Sequence, residues 1–169
     1  MTDTPMSISR KMEAAVLALN NAHAVDLSWL EGEQLTALLC QAFYARRIGS
    51  LDAFLIAFDE RATYDSPNYR WFRSRYTRFV YVDRVVVAPH GRGRGLARIL
   101  YADLFDLADR AGHDWVVCEV NINPPNPASD VLHTALGFSE VGQAIIHDGS
   151  KTVRYLCRAI KQASRTFPA

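Results

Sequence analysis

The segment His90-Gly91-Arg92-Gly93-Arg94-Gly95 alternates three glycines with cationic side chains, between a valine run (Val85-Val86-Val87) and an apolar pattern opening at Leu96-Ala97. Glycine lacks the Cβ that would keep successive amide N–H groups from converging on one concavity. A helix starting at Leu96 adds about half a positive charge at its N-terminus. Arg92 and Arg94 add full charges able to fork onto phosphate oxygens. Such a turn is equipped to hold a pyrophosphate; it reads equally as a tight turn with two solvated arginines. Neither common nucleotide motif is present. No Lys-Ser or Lys-Thr follows the glycines, as a P-loop requires, and the spacing is Gly-x-Gly-x-Gly, not Gly-x-Gly-x-x-Gly.

These residues need a strand, a turn and a helix in that order, and the pattern supplies them. Residues 79–88 read as the strongest strand, rich in valine and tyrosine and ended by Pro89. From Leu96, apolar residues recur at helical spacing to Ala111, with Gly112 placed to terminate the helix. Residues 115–120 read as a second buried strand, and 128–136 as a short helix after three prolines. Two strands near 140–146 and 151–160 flank the hairpin turn His147-Asp148-Gly149-Ser150. Upstream, 14–19 reads as a strand or a helix end, a helix starts from Ser28, and 44–48 and 51–58 form a hairpin. Residues 59–78 read as a polar and aromatic loop.

The order implies one α/β (α+β) domain over residues 1–160, with 161–169 as a loose tail. The 169 residues suit one domain, and 49% hydrophobic with 22% charged is the composition of an ordinary globular chain. A net charge of +1 counts against a nucleic-acid-coating protein. No run approaches the roughly 20 apolar residues of a membrane span, and the N-terminus lacks a signal-peptide pattern. Cys40, Cys118 and Cys157 are odd in number and sit in apolar surroundings, so buried free thiols in a cytoplasmic protein are expected. No His/Cys cluster has metal spacing, so no metal is expected.

Arg92-Gly93-Arg94-Gly95-Leu96-Ala97 fits Arg/Gln-x-x-Gly-x-Gly/Ala, and His133-Thr134-Ala135-Leu136-Gly137-Phe138 mirrors a Tyr-x-x-x-Gly-Phe ending, with Asn126 seven residues before His133. In these two blocks the chain resembles the GNAT N-acetyltransferase superfamily. It is most similar to a bacterial group sharing Tyr-Val-Asp-Arg, Cys-Glu-Val-Asn and Pro-Pro-Asn, here beginning at Tyr81, Cys118 and Pro124. The resemblance implies a mixed, mostly antiparallel central sheet flanked by helices and splayed between its fourth and fifth strands, with acetyl-CoA as co-substrate. It implies that Arg92, Gly93, Arg94, Gly95, Leu96 and Ala97 hold the pyrophosphate, that Asn126 touches the coenzyme, and that backbone groups of Val85 and Val87 hold the pantetheine arm. The Val85 N–H would also meet the oxyanion.

His133 stands where that pattern has tyrosine, the donor to the departing thiolate. An imidazolium can supply a proton; a structural histidine on an amphipathic helix is the alternative. An attacking amine needs a base, and Glu119 or Asp83, each in an otherwise apolar strand, is a candidate, because burial raises a carboxyl pKa. Each also reads as a buried ion pair. Tyr69, Trp71, Arg73 and Tyr76, in an arginine- and aromatic-rich stretch, are candidates to bind the acceptor, or close the sheet edge. The expected activity is transfer of an acetyl group to a primary amine of a small molecule or peptide, in a ternary complex without a covalent enzyme intermediate. A non-catalytic acyl-CoA-binding module is the alternative, and a nucleic-acid-binding domain a third reading. The oligomeric state stays open, a homodimer included.

Overall fold

A computed structural model describes residues 3–160. The tail expected from Lys161 onward lies outside the described residues. Seven strands form one sheet in the order β1-β2-β3-β4-β5-β7-β6. They are β1 (Met6–Ser7), β2 (Tyr44–Ile48), β3 (Ala53–Asp59), β4 (Phe79–Val87), β5 (Trp115–Asn123), β6 (Ser139–Ile146) and β7 (Lys151–Ala159). Helices are α1 (Glu13–Asn21), α2 (Gly32–Gln41), α3 (Pro67–Arg73), α4 (Leu96–Arg110) and α5 (Pro127–Ala135). Every neighbouring pair is antiparallel except β4 and β5.

That parallel pair positions the site. Although each strand is nine residues long, they pair only at Phe79↔Trp115, Val80↔Val116 and Tyr81↔Val117. Beyond Tyr81 and Val117 the strands separate, while β4 stays paired with β3 to Val87 and β5 with β7 to Asn123. The expected splay between the fourth and fifth strands is therefore present. It leaves main-chain edges without a strand partner inside a sheet, where backbone polar groups otherwise find one.

Each face of the sheet carries its own core. The α4 face gathers Leu96, Leu100, Leu104 and Ala108 against Val80, Val82, Val116 and Cys118. Burying a leucine such as Leu100 or Leu104 contributes roughly 1.5–3 kcal/mol. The opposite face packs Val16, Leu35, Leu38, Tyr69 and Phe72 on Phe54, Phe58, Phe79 and Tyr81.

Residues 14–19 lie in helix α1, the second of the two readings given for them, and the first strand is the short Met6–Ser7. Three expectations are corrected. The 59–78 stretch contains α3, with Pro67 in its first turn after Ser66, where a fixed φ favours helix entry. Cys40 is exposed on α2, while Cys118 and Cys157 are buried free thiols. Helix α2 starts at Gly32, four residues later than Ser28, under a capping box of Glu31 and Gln34. This leaves 22–31 as an irregular strap between α1 and α2. The hairpin turn before β7 is as expected, with His147, Asp148 and Gly149 all at positive φ. No helix among the described residues is long and apolar enough to cross a membrane.

Candidate active site

The glycine turn runs from the end of β4 through a single 3-10 turn, Pro89–Gly91, into α4. Gly93 and Gly95 have φ of +78° and +73°, values that L side chains rarely adopt, and Gly95 is the N-cap of α4. A Cβ built on either would meet nothing within 4 Å. The turn thus presents open backbone to an incoming group. Gly91 has a different reason for being glycine: its Cβ would lie 2.8 Å from the Asp52 carbonyl oxygen. Gly91, Gly93, Gly95, Leu96, Ala97 and Arg92 line a depression of about 200 Å³.

Asp52, in the turn between β2 and β3, buttresses this loop. Its carbonyl accepts from Ala88 N–H at 2.9 Å, and its carboxylate takes Arg94 Nη1 at 2.7 Å and His90 Nε2 at 3.2 Å. Arg94 and His90 hold the Asp52 carboxyl below its ordinary range. Arg94 also reaches Asp3 at 2.6 Å. Arg94 is thus engaged by two carboxylates, which fasten the loop. Arg92 is placed differently. It borders both the depression and the main cavity, and its Nη2 lies 3.5 Å from His23 Nε2. His23 Nδ1 sits 3.0 Å from the Leu19 carbonyl, so Nδ1 carries hydrogen and Nε2 accepts.

Adjoining the depression through Val87 and Arg92 is a cavity of about 700 Å³ set in the splay. Val85 and Val87, paired to Leu55 and Ala53 on the β3 side, line it, and so do Asn126, His133, Glu119 and Asp83. The sequence-chosen coenzyme and catalytic residues are thus brought to one continuous space, except Arg94. Asn126 caps α5 by accepting from Ser129 N–H at 3.1 Å.

The two carboxylates differ in surroundings. Asp83 Oδ2 is 2.6 Å from Arg84 Nε, both side chains being almost wholly buried, and Arg84 Nη1 donates to Asn20 at 2.7 Å. A paired guanidinium already neutralises Asp83. Glu119 has no such cation: its Oε2 is cut off from solvent and lacks a hydrogen-bond partner among the described residues. Burial first, then the nearby Asp83 charge, push its carboxyl up to about 7, against smaller opposing hydrogen bonds from Tyr81 and Asn68. Such a carboxyl changes charge near neutrality, as a general base requires.

His133 is buried, with Nε2 2.7 Å from the Tyr101 hydroxyl and Nδ1 2.7 Å from the Ser129 carbonyl. A carbonyl only accepts, so Nδ1 carries the hydrogen and Nε2 accepts from Tyr101. Burial also lowers the pKa of the ring. A neutral ring with both nitrogens engaged does not match the imidazolium donor expected at this position.

The expected acceptor-side residues lie elsewhere. Tyr69 is fully buried, and its hydroxyl donates to the Asp59 and Ala62 carbonyls. Trp71 stacks on Tyr155 at 4.2 Å, with Arg75 over its other side at 4.1 Å. Tyr76 packs edge-on against Trp115. Arg73 is exposed on α3. None of the four lines the cavity. They close the sheet, because a seven-residue helix forms where a loop was read. Tyr64 and Asn68, from the same stretch, do line it, together with Tyr81 and the strap residues His23, Asp26 and Trp29.

Tyr101 is the clearest residue that sequence reasoning missed. A tyrosine within the buried helical face of α4 needs a polar partner for its hydroxyl, and that signal was available. His23 and His147, read as surface or turn residues, border the cavity, and His113, read likewise, is buried. His113, Asp59 and Glu60 each bring one ligand-type atom within 4.8 Å of the others, a grouping hidden by their sequence spacing. All three lie outside the cavity lining.

A seven-stranded mixed sheet, splayed between β4 and β5 and followed after β4 by a glycine turn into α4, defines the class: an α/β domain with a cavity set in the opened sheet. The model of the acetyltransferase (GNAT) family matches residues 61–138, which span β4, the glycine turn and β5. Over that stretch the chain is similar to the GNAT family. Phosphinothricin N-acetyltransferase of Streptomyces coelicolor is 45% identical over 58 residues, 34% of this chain and 33% of that protein. The match thus spans about a third of this curated relative. Ribosomal-protein-S18-alanine N-acetyltransferase from Escherichia coli superposes with a TM-score of 0.71 at 18% identity, covering 98% of this chain and 99% of that one. The yncA protein of Salmonella typhimurium, solved with acetyl-CoA, gives 0.71 at 19% identity, with both chains covered completely. At these identities the two structures speak for the fold.

Proposed function

We propose that the protein is an acetyl-CoA-dependent N-acetyltransferase acting on a primary amine of a small molecule or peptide. One observation carries the reading. The cavity in the splay is lined by Glu119, a buried carboxyl poised near neutral pH, and borders the open glycine depression at Val87 and Arg92. The residues fit the coenzyme: bare backbone at Gly93 and Gly95, a cation at Arg92 free of carboxylate partners among the described residues, and unpaired main-chain edge at Val85 and Val87.

In this reading Arg92 and the Gly93–Ala97 backbone hold the pyrophosphate and Asn126 borders the arm. Glu119 takes the proton from the acceptor ammonium, directly or through one water, and frees the nitrogen lone pair. That nitrogen attacks the thioester carbonyl carbon, and the charge gathered on oxygen meets backbone N–H at Val85. Collapse breaks the C–S bond, sulfur leaves with the electron pair, and the nitrogen, cationic after attack, sheds its second proton to solvent, from which the thiolate takes one. Asp83 is not the base here, since Arg84 occupies it. No enzyme nucleophile is involved: the Cys118 thiol is pushed up by burial, which keeps it protonated.

The test is thiol release from acetyl-CoA against a panel of amines, with calorimetry on CoA in parallel. Amine-dependent turnover, abolished by Glu119→Gln with CoA binding retained, is the expected result. Tight CoA binding with no turnover on any amine would replace this reading with a coenzyme-binding module.

A further inference from the structure

We propose that Tyr101 supplies the hydroxyl that meets the departing sulfur of the thioester, and that His133 positions it. The proposal rests on the acetyl-CoA reading above. Tyr101 projects from α4 toward α5, lines the cavity with Cys118, Asn126, Ser129 and His133, and is buried. Its hydroxyl donates to His133 Nε2 at 2.7 Å, and the rings meet edge-on with centroids 5.5 Å apart. His133 is itself fixed from behind, by the Ser129 carbonyl at 2.7 Å and the Ser129 hydroxyl at 3.1 Å from Nδ1. With Nδ1 committed, the imidazole can hold a hydroxyl but has no hydrogen of its own to offer the cavity. Tyr101 carries a mobile hydrogen in this corner, as do the Ser129 hydroxyl and the buried Cys118 thiol. A phenol thus reaches the site from α4, in place of the side chain expected from α5.

As the C–S bond breaks, its electron pair leaves on sulfur. The Tyr101 hydroxyl turns from Nε2 to sulfur and donates a hydrogen bond to the thiolate, keeping its proton because burial raises the phenol pKa well above its ordinary value. The acceptor ammonium loses two protons in becoming the amide, one to Glu119 before attack and one from the cationic nitrogen after it; both pass to solvent, and one of them protonates the departed thiolate. Protons balance over the turnover.

The test compares CoA with desulfo-CoA, which lacks the sulfur, by calorimetry at pH 9, where a thiol of ordinary pKa about 8.5 is mostly thiolate. Tyr101→Phe should weaken CoA binding about tenfold, the loss expected for a hydrogen bond to a charged group, and leave desulfo-CoA within about twofold. His133→Gln, whose amide oxygen accepts the same hydroxyl, should keep the preference for CoA, and His133→Leu should lose it. In the unmutated protein, CoA but not desulfo-CoA should perturb the tyrosine ultraviolet difference spectrum, a readout independent of any variant. Equal losses for both ligands, or none, would make Tyr101 a packing residue and overturn the inference alone. Failure of the unmutated protein to bind either ligand would overturn the acetyl-CoA reading, and this inference with it.

Discussion

Glu119→Gln separates catalysis from stability in opposite directions. The folded protein raises the Glu119 carboxyl from 4.5 to about 7, chiefly by burial. Between these values the folded form keeps a proton that the unfolded chain has released, so stability falls as pH rises through the window. Above pH 7 the full cost is on the order of 3 kcal/mol. Part of the side chain faces the cavity, which lowers the penalty, so about 1–3 kcal/mol is expected. Glutamine is nearly the same shape and does not titrate. Its gain over glutamate should therefore be small at pH 4.5 and reach about 3–9 °C in melting temperature at pH 8. Activity should move the other way. With a weakly basic amine, whose own titration lies below the window, kcat/KM should rise about tenfold per pH unit below 7 and level above it. Glu119→Gln should lose at least about a hundredfold and the rising limb with it. A variant with parental activity and profile, or a stability difference that is the same at pH 4.5 and pH 8, would refute the assignment.

Gly95→Val places a β-branched residue at φ +73°, costing roughly 1–2 kcal/mol, and puts methyl groups into space that is open in the free protein. CoA affinity by calorimetry should fall at least about tenfold in the folded variant; unchanged affinity would remove the cradle. Arg92→Ala should weaken CoA binding about tenfold with a reduced salt dependence, whereas Arg94→Ala, which unfastens the loop from Asp52 and Asp3, should cost about threefold or less. The same calorimetry with the order reversed would return Arg94 to the phosphate. Because Arg94 and His90 depress the Asp52 carboxyl below 3.8, its clamp should persist above that pH and loosen as pH falls below it. Hydrogen exchange of the Ala88 and Gly91 amides, rising there before global unfolding, would show it.

The glycine turn, the strand before it and the main helix were legible because each is local. Strand 79–88, the alternating glycines and the face beginning Leu96, Leu100, Leu104 carry their periods within short windows, and the boundaries moved by only a residue or two. Position of side chains across elements was not legible in the same way. The stretch 59–78 hides α3 because aromatic and arginine residues at helical spacing resemble a binding loop; only Pro67 and Ser66 mark its start. Once helical, it turns Tyr69 and Phe72 into the core and stacks Trp71 on Tyr155, so residues that looked like a recognition surface became packing. The ion pairs of Arg94 were not legible for another reason. Its fate is decided by Asp52, forty-two residues away, and by Asp3, and no pattern around the turn reports on either.

The choice between the two carboxylates was open for the same reason, and a third residue gives them different surroundings. Asp83 and Glu119 both look like acids stranded among valines, and proximity to one space would make either a base. Arg84, next to Asp83 in sequence, is held by Asn20 from α1 and binds Asp83 on the same strand. That pair ties the Asp83 carboxylate to a guanidinium beside the cavity. The charge is also the second cause of the raised Glu119 pKa, after burial. Asp83 thus acts through Glu119: removing its charge by Asp83→Asn should shift the kinetic pKa of the alkaline rise downward and leave the base in place. A loss of that rise as complete as in Glu119→Gln would show instead that Asp83 itself takes the proton.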